Sequence, residues 1–439
     1  MREERVLFTK EMKRDYTILL PNMLPMHFKI MSAVFRDFGY KTVLLENDGR
    51  DVIECGLKYV HNDTCYPALL VIGQFISALQ SGKYDVNKTA VLMTQTGGGC
   101  RASNYIALIR KALQKAGMPQ VPVISLNVSG LEKNPGFKLS LSFGKRVLHS
   151  VYYGDLLMSL VNQCRPYECT KGASQALADK WVENLVRQMR DKKRVSYEAL
   201  KENYAAILRD FEALPRTAEK KPRVGIVGEI FVKFSPLANN NLEDFLVAEG
   251  AETVMAGLLD FLMYSVNTAV TDYRLYGMNK IRAKVMKWAY DYLRGKQLDF
   301  IRLYKENSHF VPPTDFEKTR AAIKGYISEG VQMGEGWLLT AEMLELIEGG
   351  AGNVVCTQPF GCLPNHIVGK GMMKIIRENH PGVNLVAIDY DAGASRINQE
   401  NRLKLMLANA YRELGKQASE NTIPVAEACE TGEKTESLV

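Results

Sequence analysis

Residues Thr89–Gly117 read TAVLMTQTGGGCRASNYIALIRKALQKAG. A short apolar run of strand length leads into three glycines and a cysteine. A stretch with apolar residues at helical spacing follows and stops at Gly117. This is the strand–loop–helix half of a parallel βαβ unit. The alternation continues on both sides. DYTILLPNM, KTVLLEND and PVISLN read as strands; MHFKIMSAVFRDFG and PALLVIGQFISALQSG read as helices, the latter with Pro67 at its start. Strands alternating with helices predict a parallel sheet with helical layers.

A similar pattern returns from VGIVGEI onward, with NVVCTQP and NLVAIDYD as further strands, a helix over about 365–379 and a closing helix in NQENRLKLMLANAYREL. Helical spacing dominates roughly 145–214, before the polar linker PRTAEKKPR, and again roughly 258–347. The expected organisation is α/β with two Rossmann-like or flavodoxin-like lobes. Residues 1–144 form the first lobe and 145–221 a helical connection and linker. Residues 222–414 form the second lobe with a helical insertion, and 415–439 a disordered tail poor in large apolar groups.

The 439 residues carry 56 basic and 49 acidic side chains, a net charge of +7, without a dense basic stripe interleaved with aromatics. Nucleic-acid binding is therefore not expected. A phosphate-bearing substrate such as a coenzyme A thioester fits a mild positive field. No apolar run is long enough to span a bilayer, and the first residues are charged. A reducing cytoplasmic setting is the expectation, so the eight cysteines point to metal or redox chemistry rather than to a disulfide framework.

Cys65 (NDTCYP), Cys100 (GGGCRAS) and Cys362 (PFGCLPNH) share one expected position: a turn at the carboxyl end of a parallel strand, just before a helix. Ligands gather at that edge of open α/β sheets, and a helix N-terminus favours thiolate. Thiolates drawn from separate loops suit an iron–sulfur cluster. Cys356 is the candidate fourth ligand or an apolar strand residue. Cys164 and Cys169 are weaker candidates, Cys55 fits a core and Cys429 the tail. Zinc is the rival metal, but no Cys-x-x-Cys pair occurs; His366 lies four residues after Cys362, and nothing pairs with them at zinc spacing. The loop Thr94–Cys100 lacks both phosphate-binding spacings, so it is read as presenting a cysteine with little side-chain bulk around it. Arg101 and Glu229 are the candidates for acid–base or electrostatic roles. Ser395 is the expected cap of the last helix, and the three tryptophans are expected as core or interface anchors.

NDTCYPALLVIGQ, TQTGGGCRASNY, ISLNVSGLEKNPGF, QPFGCLPNHIVGKGM and IDYDAGASRINQENRLKLML together resemble the 2-hydroxyacyl-CoA dehydratase and CoA-substrate-specific enzyme activase superfamily. The likeness is strongest to the dehydratase-like C-terminal part of the long activases, reaches to about Met406, and extends more broadly to the double-cubane cluster proteins. The resemblance implies a [4Fe-4S] cluster between two lobes, with Cys65, Cys100 and Cys362 at the family's cysteine positions and Cys356 as a possible addition. It also implies low-potential electrons from an ATP-hydrolysing activator that carries its own cluster. This sequence has no activator domain and no Walker-type loop, so either the activator is a separate polypeptide, which is the expectation, or the protein has another electron donor; the protein itself is expected to be an oligomer. Two alternatives stand beside this reading. One is an [8Fe-9S] double-cubane reductase that recruits Cys164, Cys169 and Cys356; the other is a non-catalytic zinc- or cluster-bearing assembly subunit of a dehydratase complex.

Overall fold

The structure is a computed structural model describing residues 5–61, 63–95, 99–126, 132, 134–191 and 195–420, with side chains to 415. Eight strands are present among them: β1 Thr17–Leu20, β2 Lys41–Leu44, β3 Thr89–Thr94, β4 Val123–Leu126, β5 Arg223–Gly228, β6 Glu252–Val254, β7 Asn353–Pro359 and β8 Asn384–Tyr390. They form two four-stranded sheets ordered β2-β1-β3-β4 and β6-β5-β7-β8. Every pairing is parallel. The central strands are covered on both faces, which is why they read as continuous apolar runs rather than alternating ones.

The strand order reverses between β1 and β3, and again between β5 and β7. Each reversal opens a crevice at the carboxyl edge of its sheet. Cys100 follows β3 and Cys362 follows β7, so the two cysteines occupy equivalent places in the two lobes.

Cys65 departs from the expected position. A helix, Arg50–Tyr59, stands between β2 and the helix Tyr66–Gln80 that Cys65 begins. The two helices pack closely enough that a Cβ on Gly73 would lie 2.1 Å from the Val52 carbonyl oxygen. This back-to-back pair returns the chain, and Cys65, to the crevice side of the sheet.

Helices Leu141–Cys164, Tyr197–Glu212 and Lys280–Asn307 share one core with the first sheet, joining Ile18 and Leu92 to Leu157, Ile207, Phe300 and Tyr304. A second core runs through both lobes, from Leu19, Val91 and Ile72 to Ile226, Val355 and Met406. Asp155 ties three elements together. It accepts from the N–H groups of Leu258 and Leu259 at 2.8 and 2.9 Å, capping helix Leu258–Tyr276, and meets His27 Nε2 at 2.8 Å.

Ser395 Oγ accepts from the Asn398 N–H at 3.4 Å, as expected of a cap. The final helix, Arg396–Glu420, runs past the expected start of the tail; residues 421–439, with Cys429, lie outside the described residues. Trp337 is buried, but Trp288 is 72% exposed, so it does not anchor the core. Among the described residues no helix is long and apolar enough to cross a membrane.

His149, buried in helix Leu141–Cys164, gives a pH prediction. Burial, with Lys145 and Lys296 nearby, lowers its pKa to about 4. The folded pKa lies below the unfolded one, so the folded state resists protonation. Stability is intact above about pH 6.5 and is lost as pH falls toward 4, by at most about 3 kcal/mol. Urea melts of His149→Gln should show a correspondingly shallower loss across that window. An unchanged slope would mean that His149 does not resist protonation there.

Candidate functional site

The three cysteine loops meet at the junction of the lobes. The Tyr66 N–H donates to the Phe360 carbonyl at 3.0 Å, bonding the residue after Cys65 to the loop that carries Cys362. Gly361, at φ +72°, rests against Cys65: a Cβ there would stand 3.0 Å from Cys65 Cα. Gly334, at φ +60°, occupies a similar place for the other loops. A Cβ on it would lie 3.2 Å from Pro364 Cγ and 3.8 Å from Cys100 Sγ. Side chains at either position would push the loops apart, and both backbones favour glycine.

Cys65 and Cys362 are buried, and Cys100 is half-buried. Cys65 Sγ shares a 3.2 Å hydrogen bond with the buried Tyr105 hydroxyl. Cys100 Sγ accepts from the Ala102 N–H at 3.5 Å, at the start of the short helix Arg101–Asn104. Burial pushes the Cys100 thiol up to about 11, with Glu335, Glu229 and Cys65 adding to it. Burial raises Cys362 as well, followed by Glu335, Glu229 and Cys100. Burial raises Cys65; the Tyr105 and Ala68 hydrogen bonds oppose the rise, and Glu229 adds less to it. Unmetallated, these thiols hold their protons at neutral pH. Thiolates there need a cation to sustain them.

Two carboxyls complete the group. Glu229 directly follows β5 and accepts from the Val232 N–H at 2.9 Å; Glu335 accepts from the Ile230 N–H at 2.9 Å, so both cap helix Ile230–Phe234. Burial and the neighbouring Glu335 carry Glu229 up to about 8. Burial also raises Glu335. The Tyr264 hydroxyl, which feels Glu335 and Cys100, is buried without a hydrogen-bond partner in the protein. Glu335 is the residue that sequence reading missed. It lies just before helix Leu338–Glu348, the last before β7, as Cys65 lies just before the last α-helix preceding β3. Its available signal was the flanking pair in Gly334-Glu335-Gly336.

Other candidates lie apart or at the margin. Cys356 is fully buried within β7, beside Val227, Met343 and Ile376, and its thiol donates to Asn365 Oδ1 at 3.4 Å. The charges it feels are those of Asp389, Lys370 and Glu342, not of the other thiols. Asn365 also donates to the Thr357 carbonyl at 2.7 Å and opens a π-helical turn, Asn365–Gly369, of the kind common at functional sites. Cys164 ends helix Leu141–Cys164 beside Arg216, 3.6 Å away; Cys169 is exposed a few residues on, and Cys55 is half-buried near Gln80. Arg101 and His366 are exposed. Thr96–Gly98 lie outside the described residues.

Among the described residues, no three His, Cys, Asp or Glu side chains are grouped so as to hold one metal ion. A cluster makes a different demand, because its cysteines bind separate irons and stand further apart than ligands of one ion. Three thiols on three loops, each with main-chain N–H groups or a tyrosine hydroxyl at hand, fit that donor set. No protein-family model matches the chain, and no curated protein matches its sequence.

Proposed function

We propose that this chain is an iron–sulfur redox protein of the kind its sequence resembles, the 2-hydroxyacyl-CoA dehydratase subunits. It accepts low-potential electrons from a separate ATP-hydrolysing activator and activates a small substrate, a coenzyme A thioester being the class in view. The observation that supports the reading is the meeting of Cys65, Cys100 and Cys362 from both lobes at one junction. A [4Fe-4S] group bound by those three thiols would supply one-electron chemistry and leave one iron without a cysteine ligand.

The chain's own residues contribute the surroundings. The Ala102 N–H, and Tyr105 where its hydroxyl donates, bond to ligand sulfurs and thereby tune them. Glu229, with a pKa near 8, can hold a proton at neutral pH and release it to a neighbour. Buried carboxyls and tightly packed loops limit water at the junction. The placements of Cys164 and Cys356, away from this junction, favour the single cluster over the double cubane.

The reading is tested by mixing the anaerobic protein with a reduced candidate activator, with and without ATP, and following the visible spectrum. Reduction that requires ATP is expected, with no ATP hydrolysis by this protein alone. Full reduction without nucleotide would leave an ordinary electron carrier as the better account.

A further inference from the structure

Helix Lys280–Asn307 turns one face to the core, where Ala283, Tyr290, Leu293, Gln297, Phe300 and Tyr304 are buried. On the face away from it, Ile281, Val285, Trp288 and Tyr292 are 78%, 53%, 72% and 43% exposed. They recur at intervals of four, three and four residues. That alternation keeps an apolar seam facing a second helix in a coiled coil. The Trp288 and Tyr292 rings already stack, with centroids 6.2 Å apart, so part of the seam is ordered before anything covers it. Residues 273–282, the turn from helix Leu258–Tyr276 into this one, are exposed throughout, which leaves the start of the seam open to approach.

The charges beside the seam indicate what covers it. Residues 280–287 carry Lys280, Arg282, Lys284 and Lys287 and no acid, and the first acid after them is Asp291. Lys284 and Asp291, seven residues apart, flank the same side of the seam. Laid antiparallel on a copy of itself, the helix sets Ile281 opposite the copy's Tyr292 and Val285 opposite its Trp288. Each larger side chain then meets a smaller one. One interval further out, Met278, 58% exposed, meets the copy's Gly295, which has open space around its Cα. The same register brings Lys284 to the copy's Asp291, and symmetry makes that pair twice. Asp291 also meets Lys287 of its own helix at 2.5 Å, and a carboxylate has room for both cations. A parallel pairing would instead set Trp288 on Trp288 and gather both basic helix starts at one end.

We propose that this seam joins two copies of the chain in a two-fold dimer, with helix Lys280–Asn307 packed antiparallel on its counterpart. Trp288 and Tyr292 are the anchors, of the residue types that carry most of the energy in such interfaces. The five seam side chains of each copy, Met278 included, bury roughly 1,000 Å² in total, the lower bound for a specific interface. The dimer is independent of what the cysteines bind.

Sedimentation velocity on the full chain, kept free of oxygen, tests the proposal. A dimer is expected. Trp288→Asp and Val285→Asp should each weaken it by roughly a hundredfold or more. Both side chains are exposed in the single chain, so the circular dichroism should not change. Lys284→Glu and Asp291→Lys should each weaken the dimer roughly tenfold. The double variant Lys284→Glu with Asp291→Lys should recover most of that loss, because the exchange remakes both pairs in the antiparallel register and not in a parallel one. A chain that sediments as a monomer overturns the proposal, whatever else the seam then binds. So does a dimer that Trp288→Asp leaves intact, which would place the contact on another face. Failure of the double variant to recover would overturn the antiparallel register.

Discussion

Anaerobically purified Cys100→Ala is expected to lose most of its iron, as are Cys65→Ala and Cys362→Ala. The three thiols come from loops that touch one another across the lobe junction, through Gly361 against Cys65 and Gly334 against Cys100. A cluster missing one of three cysteine ligands has no substitute thiol at hand among the described residues, because Cys356 faces the core and donates to Asn365. Cys356→Ala should therefore cost some stability and keep its iron, and Cys55→Ala should keep both. Circular dichroism separates loss of iron from loss of fold. Full iron and an unaltered EPR signal in Cys100→Ala would remove the central ligand assignment.

Lys233→Met should destabilise the protein by about 3–5 kcal/mol at neutral pH, because it strands Glu342 as a buried acid without its cation. Both residues are at most 4% exposed, and the ammonium lies 3.0 Å from each carboxylate oxygen. Burial already raises Glu342, and Lys233 is the group that opposes the rise. Without Lys233 the acid holds its proton more firmly, so the penalty should shrink as pH falls. The double variant Lys233→Met with Glu342→Met should recover most of the loss, since two apolar side chains can replace a buried pair. Denaturant melts of the three proteins at two pH values measure this. A loss in the double variant as large as in the single would show that packing, not charge, holds this helix pair.

The strands were legible because a parallel sheet covered on both faces leaves apolar runs such as Ala90–Met93 in the sequence. Cys65, Cys100 and Cys362 were legible because each sits beside Gly or Pro at a helix start. Helix Arg50–Tyr59 was not. Only Val52, Gly56 and Tyr59 of it are buried, and the glycine through which it meets its neighbour interrupts that short apolar row. Glu335 was hidden inside a long helical insertion. Nothing local says that the end of that insertion returns to the β5 edge, where Glu335 caps a helix together with Glu229. The Cys356 position shows a limit of another kind. A fully buried strand carries no alternation, so sequence alone does not tell which face of the sheet a thiol takes. Whether Trp288 belonged to the core was not legible, because its spacing fits a helix whose exposed face is itself aromatic, with Tyr292 stacked beside it.

Iron and acid-labile sulfide, counted on the unaltered chain purified without oxygen and paired with EPR after reduction, bear most directly on the central claim. A single cluster on Cys65, Cys100 and Cys362 requires about four iron and four sulfide per chain, with a low-potential reduced signal. About eight iron would contradict the single site and favour the double cubane. Zinc in place of iron, or no metal at all, would contradict an iron–sulfur centre at this junction.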